Sequence, residues 1–109
     1  MRKTKTAALA LCIGMTLSMP AWAVSTFGDR SCGQWIAART EGGVAGVAAL
    51  NWLTGFASGY VIGRDIDPFK GVDVDTILLY TDNYCRANPL NLAVNAIVYL
   101  VADLQKRRQ

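Results

Sequence analysis

Residues 42–63 read GGVAGVAALNWLTGFASGYVIG and contain no charged side chain. This long run without charge predicts one long helix over 44–62. Within it, Gly55, Gly59 and Gly63 repeat every four residues, so they share one side of the helix. In a membrane such a row is a helix-pairing surface, whereas in a soluble protein it lets another backbone approach closely.

A second row of residues runs beside the glycines on the same predicted helix. Trp52, Phe56 and Tyr60 also repeat every four residues, which places a ridge of rings next to a groove of bare backbone. Two interpretations follow. The glycines make room for the last helix of the same chain, or the two rows form a surface for a second copy or another partner. The sequence favours the first interpretation.

The uncharged stretch is long enough to cross a membrane, but its composition favours a soluble helix. It holds few strongly apolar side chains, and six glycines together with Asn51, Thr54 and Ser58 offset most of their insertion free energy. We therefore expect no membrane span here.

The first 23 residues have the pattern of a secretory signal peptide. Arg2, Lys3 and Lys5 precede an apolar run over 7–17, and Ala21-Trp22-Ala23 provides an A-x-A cleavage site. This predicts an exported protein in which residues 1–23 are removed and residues 24–109 form one domain. Cys12 would leave with the signal peptide.

The three basic residues of the signal peptide account for the whole excess of 11 Lys and Arg over 8 Asp and Glu. The mature chain is therefore close to neutral, which argues against nucleic-acid binding because that rests on excess positive charge. The basic cluster at 106–108 fits the end of a helix, where it complements the helix dipole.

Two cysteines, Cys32 and Cys85, remain in the mature chain, and an even number in an exported protein predicts a disulfide. Closing a loop of about 54 residues would contribute roughly 4 kcal/mol to stability on the chain-entropy model. A reactive thiol or a metal site fits less well, because the chain has no histidine and two thiolates cannot complete a tetrahedral site.

Three more helices are predicted around the long one. Ser31 caps a first helix over 32–40 that Gly42 and Gly43 end, and Asp73 or Asp75 caps a third helix that runs to residue 87. Asn88 and Pro89 supply an N-cap and a first-turn proline for a fourth helix. The inner positions of these helices are Trp35 and Ile36, then Ile77, Tyr80 or Thr81 and Tyr84, then Ala93, Ile97, Leu100 and Leu104.

The resulting fold class is all-α: a small four-helix domain with short loops and one disulfide. Gly63 is predicted just beyond the end of the long helix, at the position that favours a positive φ. The disulfide is expected to tie the start of helix one to the end of helix three.

The chain has few residues of the types that catalysis requires. Without histidine it has no Ser-His or Cys-His pair. Its one acidic cluster, Asp65, Asp67, Asp73 and Asp75, has D-x-D spacing but lacks the third acidic position and the terminal glutamate of a calcium loop. We predict no enzyme activity, no metal and no cofactor, which leaves protein binding as the function.

Two segments carry a resemblance to a known family. SCGQW at 31–35 and YCRANP at 84–89, followed by an amphipathic last helix, resemble the HdeA/HdeB periplasmic acid-stress chaperones. The chain is also similar in outline to the Tai-type immunity proteins, exported helical proteins that neutralise amidase effectors of type VI secretion.

The chaperone resemblance implies a periplasmic dimer that loosens in acid and binds unfolding clients through apolar surface. Protonation of carboxylates, with Asp65, Asp67, Asp73 and Asp75 as candidates, would give the neutral chain a positive charge and favour opening. The immunity resemblance implies capture of one effector enzyme, through the loop at 64–75. A third hypothesis is an accessory subunit of an envelope complex that docks through helix two.

Overall fold

The computed structural model describes residues 25–109, so the predicted signal peptide lies outside the described residues. The all-α prediction is confirmed: the described chain has no β-strand and folds into four helices, which are α1 (Cys32–Glu41), α2 (Gly43–Gly63), α3 (Val74–Ala87) and α4 (Ala93–Arg107). α1 packs against both α2 and α3, α3 packs against α4, and α2 makes a smaller contact with α4.

The first helix begins and ends where its sequence predicts. The hydroxyl of Ser31 accepts a hydrogen bond from the Gln34 backbone N–H, and the Gln34 side chain accepts one from the Ser31 N–H. This reciprocal capping box satisfies two backbone donors that the first turn would otherwise leave free. At the other end, Gly42 has a φ of 68° and its N–H donates to the carbonyl of Ala38. A residue with a side chain would be strained in that conformation, so the glycine turns the chain into α2.

The predicted disulfide joins Cys32, the first residue of α1, to Cys85 near the end of α3, with the two Cα atoms 4.7 Å apart. Both cysteines are buried. Beside them the segment before α1, residues 25–31, which we call the lead-in, reaches the start of α4: the Cys32 N–H donates to the Asn91 carbonyl and the Ala93 N–H donates to the Arg30 carbonyl. The starts of α1 and α4 and the end of α3 therefore meet at one end of the domain.

The fourth helix begins later than predicted. The expectation that Asn88 caps it is wrong, because Asn88 instead ends α3: its backbone and side-chain N–H groups both donate to the carbonyl of Tyr84. Residues 89–92 form a turn, and α4 starts at Ala93 with Leu92 as its N-cap. Leu92 offers no side-chain cap, and the donation from Ala93 to Arg30 supplies a partner for the first N–H instead.

The prediction for the end of α2 is also wrong in detail. Gly63 is the last helical residue, and the positive φ falls at Asp65, where it is 53°. The N–H of Ile66 donates to Val61 and that of Asp65 donates to Ile62, which is the Schellman pattern of a helix end. Aspartate tolerates this conformation better than most residues, so the chain needs no glycine there.

The core lies between the four helices and contains the predicted inner positions. Trp35, Ile97 and Leu100 are buried, and so are Ile77 and Thr81 on α3. The linker between α2 and α3 is fixed at the far end of the domain, where the Arg108 guanidinium donates to the carbonyls of Asp67 at 2.9 Å and Lys70 at 2.8 Å. The end of α4 therefore holds this loop, a role that its basic composition alone did not indicate.

Candidate functional site

Helix α2 has one side that belongs to the core. Ala49, Leu53 and Ala57 repeat every four residues, and each is at most 2% exposed. The alanines on either side of Leu53 are small, so neighbouring helices approach α2 along this row. We call it the inner row.

The glycine row lies on a different side and faces away from the core. Gly55, Gly59 and Gly63 are exposed, and no atom outside the helix lies within 4 Å of where a Cβ would be at any of the three. The interpretation that these glycines make room for helix four is therefore wrong. The inner alanines provide that room, and within the described chain the glycine row is left uncovered.

The uncovered side of α2 is apolar as well as uncharged. Val44 and Ile62 are 88% and 76% exposed, and Val47 is 58% exposed. Among residues 25–109, α2 is the one helix whose length and composition suit a membrane crossing, and 17% of its most apolar window is buried. A helix this apolar is normally covered, so its uncovered side is the principal candidate for a binding surface.

The aromatic row forms a ladder between the inner row and the glycine row. Trp52 stacks on Phe56 with ring centroids 5.7 Å apart, and Phe56 stacks on Tyr60 at 5.9 Å. Arg64 extends the ladder, with its guanidinium 5.1 Å from the Tyr60 ring centre and a 2.9 Å hydrogen bond to the Tyr60 hydroxyl. The stacked rings are half-buried and lie along one edge of the exposed face of α2.

At the middle of α2 the lead-in folds against this ladder. The Trp52 indole N–H donates to the carbonyl of Phe27 at 2.6 Å. Gly28 is required there, because its φ is 80° and a Cβ would lie 2.6 Å from the Trp52 nitrogen. Together the two segments enclose a shallow cleft of about 390 Å³, which is lined by Thr26, Phe27, Asn51, Trp52, Gly55 and Phe56.

A buried polar cluster, which the sequence analysis missed as a unit, joins α1 to α3. The Asp82 carboxylate accepts a 2.7 Å hydrogen bond from the Trp35 indole, and the Arg39 guanidinium donates to both of its oxygens at 3.1–3.4 Å. Asp82 is 7% exposed, and Arg39 also lies over the Trp35 ring. The sequence did carry a signal, because Asp82 lies beside Thr81 and one turn after Leu78 on the buried face of α3.

The four candidate acid-titrating residues do not come together as a site. Asp65, Asp67, Asp73 and Asp75 are all exposed, and the described chain has no group of three residues positioned to hold a metal ion. Asp73 caps α3, and the hydrogen bond from the Thr76 backbone N–H lowers the pKa of its carboxyl. It therefore serves the helix end, as the capping prediction proposed.

One further titrating group lies between α3 and α4. The Tyr80 hydroxyl donates to Asp103 at 2.9 Å. Desolvation, reinforced by this hydrogen bond, raises the pKa of Tyr80 to about 12. The tyrosine therefore stays neutral over the whole physiological range and acts as a donor that links the two helices.

No family model, curated protein or solved structure matches this chain.

Proposed function

We propose that this protein is an exported, non-enzymatic binding protein of the chaperone type, which holds apolar segments of unfolding proteins on the uncovered side of α2. The observation that carries the proposal is the 21-residue helix α2, whose apolar outer side the described chain leaves open except where Thr26 and Phe27 adjoin its middle. Because that side has no charge, it suits segments that are themselves apolar and uncharged. The signal peptide pattern and the disulfide support an oxidising compartment such as the periplasm.

The rest of the domain is built as a rigid support for that helix. The disulfide and the Asp82 ion pair both join α1 to α3, and α1 in turn packs on the inner side of α2. The buried carboxylate of Asp82 is bonded to Arg39 and to the Trp35 indole, and so is occupied by the fold. This arrangement suits binding better than catalysis, which needs reactive groups that are open to a substrate.

Acid is the activating condition that the charge balance of the mature chain favours. Protonated carboxylates would leave the Lys and Arg charges of the mature chain unbalanced, and the resulting self-repulsion would loosen the packing between helices. The disulfide would keep α1 and α3 together while the rest of the domain opens.

The direct test is suppression of aggregation by residues 24–109 with a defined client, acid-unfolded malate dehydrogenase, measured by light scattering at pH 3 and on return to pH 7. We expect the wild-type protein to suppress scattering at stoichiometric amounts. Val47→Lys should lose most of this effect because it places a charge on the outer side of α2. Leu79→Lys on α3 is the matched control, since Leu79 and Val47 are equally exposed at 58%. Absence of suppression at both pH values, or equal losses in the two variants, would refute the proposal.

A second candidate function is capture of one folded enzyme, as an immunity or inhibitor protein does. The preformed cleft beside Trp52 favours it, because a fixed shape with a hydrogen-bonded wall suits one partner better than many. A photo-crosslinking residue placed at Phe27, and in a parallel experiment at Lys70 in the predicted capture loop, would distinguish the two surfaces. Support requires that a crosslinked protein, once purified, forms a 1:1 complex with residues 24–109 and is inhibited by it. A complex that forms equally well with the cleft blocked would exclude the cleft.

A further inference from the structure

Asp29, in the lead-in, has a carboxylate that the rest of the described chain only half satisfies. Its Oδ1 accepts a 2.7 Å hydrogen bond from the Arg30 backbone N–H. Its Oδ2 is inaccessible to solvent and has no hydrogen-bond partner within residues 25–109. A buried carboxylate oxygen without a donor costs free energy, which indicates that a donor from outside these residues completes it.

The elements that flank Asp29 offer it no cation. The residue before it, Gly28, lies against the Trp52 indole of α2, and the backbone of the residue after it, Arg30, pairs with the start of α4. Neither α2 nor the stretch 88–102 carries a charged side chain. Arg30 is the nearest cation in sequence, and it is in no ion pair within the described chain.

The predicted processing of the chain creates a cation close to Asp29 in sequence. When signal peptidase hydrolyses the Ala23–Val24 bond, one water is consumed, Ala23 leaves as a carboxylate and Val24 keeps an α-ammonium group. This group is positively charged at neutral pH and has three N–H donors, because the ordinary pKa of an α-amine is about 8. Before hydrolysis the same nitrogen is an uncharged amide with one N–H.

We propose that the α-ammonium of Val24, released by signal-peptide cleavage, pairs with Oδ2 of Asp29 and so fixes the lead-in in the processed protein. Residues 24–29 then form a loop of about six residues closed by its two ends, the size at which compact surface loops begin. The lead-in already has the change of direction that such a loop requires, because it bends at Phe27 and Gly28, and the φ of Gly28 is 80°.

The pair would steady one wall of the cleft beside Trp52. Thr26 and Phe27 line that wall and lie inside the closed loop, and the Phe27 carbonyl accepts the hydrogen bond from the Trp52 indole. The processed protein therefore holds the cleft more firmly than its precursor does. The pair rests on the export that the proposed function includes, but it is measured on the purified protein alone, so its failure would leave client binding untouched.

The pKa of the Val24 amine tests the pair directly. The chain is expressed with its own signal peptide, and mass spectrometry verifies the N-terminus of the purified product. The pH dependence of acetylation by acetic anhydride should give a pKa of about 9 or above for the amine, because a neighbouring carboxylate favours its charged form. Asp29→Asn should return this pKa to about 8. Asp75→Asn is the matched control, since it removes the same charge from an exposed position on α3 and should leave the pKa raised.

An N-terminal extension tests the position of the ammonium group. One alanine added before Val24 keeps the positive charge but moves it about 3.5 Å along the chain. We expect this extension to lower the Tm at pH 7 by about 4 °C or more, because the charge no longer reaches Oδ2. The same extension should have no effect in the Asp29→Asn protein, where the pair is already lost.

The indole N–H groups report on the wall of the cleft. Trp35 and Trp52 are the two tryptophans that remain after residue 23, so an NMR spectrum of the processed protein shows one indole signal for each. Hydrogen exchange at Trp52 should be several-fold faster in the extended protein and in Asp29→Asn. Exchange at Trp35, whose indole N–H is buried and bonded to Asp82, is the internal control and should not change.

Four outcomes would overturn the proposal. An ordinary pKa for the Val24 amine in the folded protein would show that the pair does not form. A raised pKa that Asp29→Asn leaves unchanged would assign the ammonium group to another carboxylate. A Tm that falls with Arg30→Gln but not with the extension would assign Oδ2 to the Arg30 guanidinium. Cleavage after a residue other than Ala23 would place the ammonium group elsewhere.

Discussion

The inner row and the glycine row of α2 lie on one helix, share a spacing of four and consist mostly of small residues, yet they meet different surroundings. Ala49, Leu53 and Ala57 are almost fully buried, whereas at Gly55, Gly59 and Gly63 no atom outside the helix lies within 4 Å of where a Cβ would be. The difference teaches that a row of small residues indicates a place where a helix can be approached, and does not say what approaches it. In this chain the alanines face the rest of the fold, and the glycines face outward.

The largest expected effect on stability comes from shortening a side chain on the inner row of α2, compared with the same change on its outer side. Leu53→Ala should lower the free energy of unfolding by about 2–5 kcal/mol, because it removes a fully buried side chain and leaves a cavity. Val47→Ala on the outer side should change it by less than about 0.5 kcal/mol. Urea denaturation of dilute protein gives both values. Equal costs at the two positions would show that the outer side is covered.

The second prediction concerns the support on which α2 rests. Asp82→Ala should cost about 2–4 kcal/mol, since it leaves the Trp35 indole N–H without an acceptor in the core and Arg39 without its partner. Asp103→Ala is the control, because its bond with Tyr80 is exposed and should be worth less than about 1 kcal/mol. A small effect at Asp82 would mean that the disulfide holds α1 to α3 without help from the ion pair.

A third, smaller effect has the opposite sign. Gly55→Ala and Gly59→Ala should each stabilise the monomer by about 0.5–1 kcal/mol, because alanine is the better helix former and its methyl group meets open space. Gly46→Ala should gain less, because its Cβ would lie 3.3 Å from the carbonyl of Ala38. Thermal unfolding of the three variants at low concentration ranks them. A loss of stability at Gly55 would reveal a contact within the chain.

The smallest predicted effect appears only in acid and involves the cap of α3. Because the folded state lowers the pKa of Asp73 below its ordinary value of 3.8, the carboxylate stabilises the fold above that pH. This stabilisation is lost as the pH falls through the folded-state pKa. The stability difference between the wild type and Asp73→Asn should therefore be constant near neutral pH and shift against the wild type below about pH 4. A difference that stays constant down to pH 2 would contradict it.

Much of the fold follows from local features of the sequence. Ser31, Gly42 and Asp73 end or begin their helices as predicted, because each acts on its own backbone neighbours. Asn88 was misassigned because its amide can serve the helix before it as well as the one after it. Hydrogen bonds between residues 30–32 and residues 91–93 fix the start of α4 at Ala93, which leaves Asn88 to end α3.

The candidate site was harder to predict than the fold. The sequence identified the glycine and aromatic rows correctly as rows, but which row faces the core depends on how α1 and α4 pack, and spacing alone does not encode this. The Asp82 cluster needs three side chains from two helices that are more than forty residues apart. Likewise, Gly28 is explained only by its contact with Trp52.

The most direct test of the account is thiol labelling of α2 in the folded, dilute protein. Gly59→Cys should react with a maleimide nearly as fast as the same protein in urea, because nothing among residues 25–109 lies within 4 Å of a Cβ at that position. Ala57→Cys, two residues earlier on the inner row, should be protected by several orders of magnitude. Strong protection at Gly59→Cys under the same conditions would contradict the claim that the outer side of α2 is free to bind.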